Sequence, residues 1–411
     1  MRFYYGWWIV LIAAVNMTLV VGATFNIFGL FVRPVSEEFG LSRANMNTAI
    51  ILVNIGSAIA APFIGRLFDR IPIKRILVAS AIGFGAGFVA LGLSHSLWLD
   101  AVILFVPFAI AVVGAGTGAN PALVARWFTV YRGRAMAIAA IGVSMGGLVL
   151  APPATFLIAS IGWRQALIGL GCGITLIILL LSIFIRGEPG PNDIEGAAGR
   201  ASAGAHGAGA LGARPLKTAA ILQMPQFWLI AGSVAIFLST AQAFAVSVIP
   251  LAQGFNFSKT EVASLLPVLA IGGICGKLVV AAIGDRVDRV LLSTVVIVAL
   301  ALANVASLFS QTYPSLVACC ALLGLTMGSM TPVFYALLAD RFGQASFGTV
   351  NGLAFPLMTL LSSVVVRFAG EVFDRTGQYD WMFITFVGLL AVAALMMFFN
   401  RVVGKPVIDT D

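Results

Sequence analysis

One lysine stands where a charge is costly. Lys277 lies within the apolar run 260–283, eight residues before Asp285. In a helix rising ~1.5 Å per residue it sits about 12 Å along the axis before Asp285. Ionisable side chains at such depth in a membrane are rare and mark ligand or ion pathways. An ammonium there can hold an anion as a point charge and can give up its proton, which a guanidinium cannot. The plainer reading is a side chain that snorkels to the neighbouring loop or pairs structurally there. No Asp or Glu falls equally deep: Glu37, Glu38, Asp100, Glu261 and Glu371 all lie near the ends of apolar runs. Arg33 stands four residues before Glu37, and Arg367 four before Glu371, each pair on one helix face. Arg33 reads either as a positive point of approach for anions or as an ion-pair partner of Glu37. Arg367 and Glu371 read first as a structural salt bridge and second as an anion gate.

Other chemistries lack their residues. The two histidines, His95 and His206, fall in connections, and the four cysteines (Cys172, Cys275, Cys319, Cys320) sit inside apolar runs without metal-ligand spacing. No nucleophile–base pair stands out, so neither an enzyme, a metal nor a cofactor is expected.

The elements that must position these charges follow from composition. Of 411 residues, 60% are hydrophobic and 10% charged, against about half and a quarter in a soluble domain. Too little polar surface is left to cover a soluble protein of this size, whereas lipid can cover an apolar one. About 20 apolar residues cross the hydrocarbon core. Cutting at charged, Pro and Gly clusters predicts twelve spans: 6–32, 43–65, 74–94, 98–121, 134–159, 163–186, 224–252, 260–283, 290–311, 314–338, 345–368 and 380–402. The first begins at the aromatic N-terminus without a small-residue cleavage site and reads as a span, not a removable signal. Between the sixth and seventh lies 187–217, a Gly/Ala-rich stretch expected to be a flexible linker between bundles at 1–186 and 218–411.

The net charge of +8 sits in short runs between apolar stretches, not in a nucleic-acid-binding patch. With the N-terminus inside, 17 of the 24 basic residues fall on cytoplasmic segments and six on outer ones. That asymmetry places both termini in the cytoplasm.

The chain repeats itself. At a shift of 216, Asn26 meets Gln242, Pro34 meets Pro250, Gly56 meets Gly272, and Asp69-Arg70 meets Asp285-Arg286. At a shift of 210, Gly114, Gly118, Gly133 and Gly142 meet Gly324, Gly328, Gly343 and Gly352. Two parallel six-helix halves with a substrate site at their interface are the expected consequence.

The second connection carries Gly65, Asp69, Arg70, Lys74 and Arg75. It resembles the signature loop of the major facilitator superfamily, and Gly284-Asp285-Arg286 is its degenerate copy. The loop reads as a charge latch, with Asp69 and Asp285 pairing basic groups and helix ends in one conformation and releasing them in another. The bland alternative is a charged loop that only sets orientation. Within that superfamily the chain is most similar to the monocarboxylate transporters and oxalate/formate antiporters. The likeness rests on Tyr5-Gly6-Trp7-Trp8, Phe31-Val32-Arg33-Pro34, Glu37 to Arg43, Arg126-Trp127-Phe128, Gly162-Trp163-Arg164 and Phe373 to Gly377. It implies an all-α membrane fold of twelve helices in two pseudo-symmetric bundles, working as a monomer in the cell inner membrane. It also implies that a basic residue in helix eight, here Lys277, binds a substrate carboxylate. The family's usual residue is Arg, often with Asp four positions earlier; this chain has Lys277 and Gly273.

The resemblance places Asn16, Asn26, Asn120, Gln242 and Thr331 on cavity-lining helices. Asn26 and Gln242 are repeat-related and form an attractive central pair, with Phe334 and Tyr335 as pocket walls. Interhelical hydrogen bonding and aromatic packing are the plain alternatives for each. The expected function is alternating access of a small organic anion, most simply a monocarboxylate, by proton symport or anion exchange. A carrier of neutral or drug-like compounds and a non-transporting sensor are the alternatives. Competing monocarboxylates would inhibit only the first of these three.

Overall fold

The computed structural model describes residues 4–40, 43–189, 195, 216–255, 257–309 and 312–402. Among them all regular structure is helical. In lipid no water can satisfy a backbone amide, and a helix satisfies its own. The spanning helices are α1 Gly6–Phe39, α2 Arg43–Arg70, α3 Ile73–Leu93 and α4 Leu97–Trp127. A continuous stretch, Arg132–Ile183, is 52 residues long, more than twice what a bilayer requires. It breaks at Gly162, whose φ of 80° and ψ of 162° are not helical. A residue with a Cβ resists that φ, so this glycine divides α5 (132–161) from α6 (163–183). The second half holds α7 Pro225–Gln253, α8 Lys259–Ile283, α9 Arg289–Leu308, α10 Tyr313–Phe342, α11 Phe347–Thr376 and α12 Asp380–Val402. Twelve spans result. Several run further than the sequence-based boundaries, α1 to Phe39, α4 to Trp127 and α11 to Thr376, because charged and polar residues continue the helix beyond the apolar core.

Two of these rods are not regular. In α1 residues Gly22–Asn26 form a π turn. In α4 two more occur, at Leu104–Phe108, which contains Pro107, and at Val113–Thr117. A π turn shifts the hydrogen-bond ladder by one residue and leaves a carbonyl short of its donor. Asn120 makes good the second: its Nδ2 donates to Ala115 O and Gly116 O, both at 2.8 Å. Fully buried Asn16 of α1 then donates to Asn120 Oδ1 at 3.2 Å.

The helices form two compact units. The first comprises Met1–Pro215 with Gln344–Pro356, the second Leu216–Gly343 with Leu357–Asp411. Within each, glycines let backbones touch, as apolar side chains give helices in lipid little reason to associate. In the first unit a Cβ on Gly142 would lie 2.0 Å from Ala14 O, and one on Gly146 would lie 2.5 Å from Gly22 Cα. In the second, a Cβ on Gly328 would lie 2.0 Å from Gly273 O, and one on Gly276 would lie 2.1 Å from Leu325 O.

These contacts make a clear prediction. Gly328→Val should lower stability by about 1–3 kcal/mol or more, read as a fall in the thermal unfolding midpoint of the purified protein. Gly169→Val, which meets nothing within 4 Å, should leave it close to wild type.

Candidate functional site

Lys277 sits on α8 six residues before its last residue, Ile283, about 9 Å along the axis. It is 7% exposed. Its depth is set by the α8–α10 seam, where Gly276 lies on the Leu325 carbonyl and Ser329 Oγ donates to Gly276 O (3.2 Å) and Leu325 O (2.8 Å). That seam leaves α8 little freedom to turn or slide, so the ammonium is held beside it. Among the described residues the other buried charges, Arg132 and Glu195, lie at a helix start and outside the helices; Lys277 is the buried charge of a helix interior. Tyr335 follows on α10, half-buried, with its ring 5.6 Å from that of Phe334. Gln242, on α7 of the same unit, is exposed.

Asn26 and Arg33 belong to the first unit. Asn26 ends the π turn of α1, is exposed, and its Nδ2 donates to Val143 O of α5 at 3.0 Å. Arg33 pairs with Glu37 at 2.8 Å, with side chains 86% and 64% exposed. A pair so wet contributes little to stability. The expected Arg367–Glu371 bridge takes a different form: Glu371 pairs with Arg375, four residues on, at 2.7 Å. Equal spacing on either side of a helical carboxylate leaves two candidates, and only rotamer geometry chooses.

The residues that the sequence suggests as a latch have identifiable partners. Asp69, at the end of α2, accepts from the backbone amides of Gly348 (2.9 Å) and Thr349 (2.7 Å). It therefore caps the first turn of α11 inside the first unit, where a carboxylate is favoured by the unpaired amides and the helix dipole. Gly65 allows this approach, since a Cβ there would meet Gly348 O at 2.2 Å. The cation beside Asp69 is Arg126 of α4, which donates to Phe68 O at 2.6 Å. Arg70 is exposed. In the second unit Asp285 pairs with Arg289 at 3.2 Å, and Arg289 also pairs with Asp340 of α10. Arg286 is exposed.

Three participants were missed by sequence reasoning as latch partners. Arg126 stood out only within the family-like stretch Arg126-Trp127-Phe128, and Arg289 only as the end of the degenerate loop copy that starts at Gly284. Asp340 had a usable signal, a further Asp-Arg dipeptide (Asp340-Arg341) at the end of an apolar run.

At the other end of the first unit, Glu38 accepts from Trp163 Nε1 (2.8 Å) and from Arg164 Nη2 (2.7 Å) and Nε (3.1 Å). Arg164 Nη1 also donates to the carbonyls of Gly92 and Ser94. One guanidinium thus ties the ends of α1 and α3 to the start of α6. Trp163 and Arg164 directly follow the Gly162 break that aims them.

Among the described residues the chain consists of long apolar helices, packed closely at glycines within each unit, with one buried cation inside a helix, the build of a multi-pass membrane protein. The family model described as Major Facilitator Superfamily matches residues 14–366; the chain belongs to that superfamily of multi-pass membrane transporters. Monocarboxylate transporter 13 of Rattus norvegicus is 24% identical over 92% of this chain and 85% of its own. The probable sulfoacetate transporter SauU of Cupriavidus necator is 25% identical over 89% of this chain and 87% of its own. Among solved structures, the proton:xylose symporter XylE matches with a TM-score of 0.72 at 15% identity, covering 98% of this chain and 96% of that one. That likeness is one of fold. The motif resemblance to the monocarboxylate transporter and oxalate/formate antiporter group stands.

The geometry around Asp69 yields a graded prediction. Asp69→Ala removes both acceptors from the Gly348 and Thr349 amides and should cost about 1–2 kcal/mol. Asp69→Asn keeps one acceptor and should fall between Ala and wild type in thermal unfolding of the purified protein.

Proposed function

We propose that this transporter carries a small organic anion, most simply a monocarboxylate, by alternating access. The observation that carries the reading is Lys277: an ammonium buried in the interior of α8 at 7% exposure is costly to keep there, and charged side chains so placed in membrane helices mark ligand or ion pathways, which for an ammonium means an anion. Relatives named for carboxylate and sulfoacetate transport support it. Tyr335, Gln242 and Asn26 offer hydrogen-bonding groups to the rest of the substrate, and Arg33, outermost and solvated, attracts anions. The repeat-related halves, 1–186 and 218–411, are its moving bodies, with the Asp69 and Asp285 clusters as the contacts remade in each cycle. The protein works as a monomer in the inner membrane with both termini in the cytoplasm.

Two couplings fit: proton symport, with the proton on the substrate or on Lys277, and anion exchange. Uptake of radiolabelled lactate, pyruvate and oxalate into proteoliposomes, with and without an inward proton gradient, separates them. Gradient-stimulated uptake means symport; uptake only against a preloaded anion means exchange; no uptake of any overturns the anion reading. Lys277→Ala at normal protein levels should lower uptake by roughly tenfold or more, the scale of a lost charge-assisted bond. Lys277→Arg should retain anion binding, and it should lose gradient stimulation if the lysine is the proton carrier.

A further inference from the structure

The loop between α4 and α5 holds an anion that the transport reading does not use. Glu195, twelve residues past Ile183, the last helical residue of α6, packs against this loop and buries its carboxylate there at 7% exposure. Its Oε2 accepts from the backbone amide of Thr129 (2.7 Å), the hydroxyl of Thr129 (2.9 Å) and the amide of Val130 (3.0 Å). Its Oε1 accepts from the amide of Tyr131 (2.6 Å). Three successive amides pointing inward form a concave nest that selects an anion. The helix α5 begins at Arg132, directly after these amides, and its dipole favours an anion at this end.

The path to this site is also held. After α6 the Phe184 carbonyl accepts from Tyr5 Oη at 2.7 Å, and the Arg186 carbonyl accepts from Trp127 Nε1 at 3.0 Å. The Arg186 guanidinium lies over the Tyr5 ring, 4.3 Å from its centre. Trp127 and Thr129 are two residues apart, so residues 186 and 195 are both fastened to one short loop.

We propose that residues 129–131 are a carboxylate-binding site whose resident ligand is the chain's own Glu195, and that this contact clips the connection between the two halves to the first unit. An aliphatic carboxylate in solution competes for the same four donors.

The test is amide hydrogen exchange of the full-length protein in nanodiscs, followed on peptides covering 129–131, with sodium acetate as the probe. In wild type the three amides should be protected. In Glu195→Ala they should exchange roughly tenfold faster or more, each having lost its acceptor, while peptides from α9 stay unchanged as a folding control. Glu195→Gln keeps one carbonyl oxygen and should release the Tyr131 amide while partly protecting Thr129 and Val130. About 0.1 M acetate, but not chloride at equal ionic strength, should restore protection in Glu195→Ala. Equal exchange in wild type and Glu195→Ala would show that the carboxylate does not occupy the nest. Faster exchange that acetate fails to slow would show that the loop is no carboxylate site. Either result overturns the proposal, and neither bears on whether the protein transports anions.

Discussion

Every backbone amide and carbonyl inside the membrane must find its partner within the chain, and the architecture follows from that demand. It imposes helices. It then makes each irregularity in a helix depend on a nearby group that can repair the ladder. The π turn at Val113–Thr117 survives because Asn120 turns its amide back onto the Ala115 and Gly116 carbonyls. The turn at Gly22–Asn26 lies where Gly22 and Gly146 bring α1 and α5 together backbone to backbone. Asn26 closes it by reaching across to Val143. Polar residues expected to face a substrate are thus also the ones holding irregular helices to their neighbours.

The same demand governs charge. Nearly every described ion pair lies at a helix end, where water or unpaired amides can share the cost: Glu38 with Arg164, Arg33 with Glu37, Glu371 with Arg375, Asp285 with Arg289. Asp69 uses amides in place of a cation's full fork, capping the first turn of α11. Lys277 departs from the pattern because it is buried partway along a helix. Its position beside a glycine–serine seam means that the helix cannot simply slide to bring the ammonium out. A charge held where it is costly must be kept there by packing, and α8 against α10 supplies that packing.

The loops obey a related rule. A loop that leaves three amides pointing inward creates a demand of its own, and residues 129–131 meet it with a carboxylate from the stretch that composition alone marks as linker. Tyr5 and Trp127, which enter the sequence reading only as part of a family resemblance, have a physical role at this place: their polar tips bind the carbonyls that follow α6.

The sequence by itself determined the membrane environment, the twelve spans, their duplication and the depth of Lys277. These depend on composition and period, and one apolar run of about 20 residues has one stable solution in lipid. It also singled out Asp69, because the Asp-Arg pair recurs in register in both halves. What only the tertiary structure decided is which group meets which. Asp69 is joined by Arg126 from 57 positions away, not by the adjacent Arg70, because a helix-end neighbour points outward while α4 crosses beside α2. Glu371 chose Arg375 over Arg367 at equal spacing. The π turns, and the nest around Glu195, have no composition or period to betray them. They arise from backbone torsions, and those are settled by packing between residues far apart in the chain.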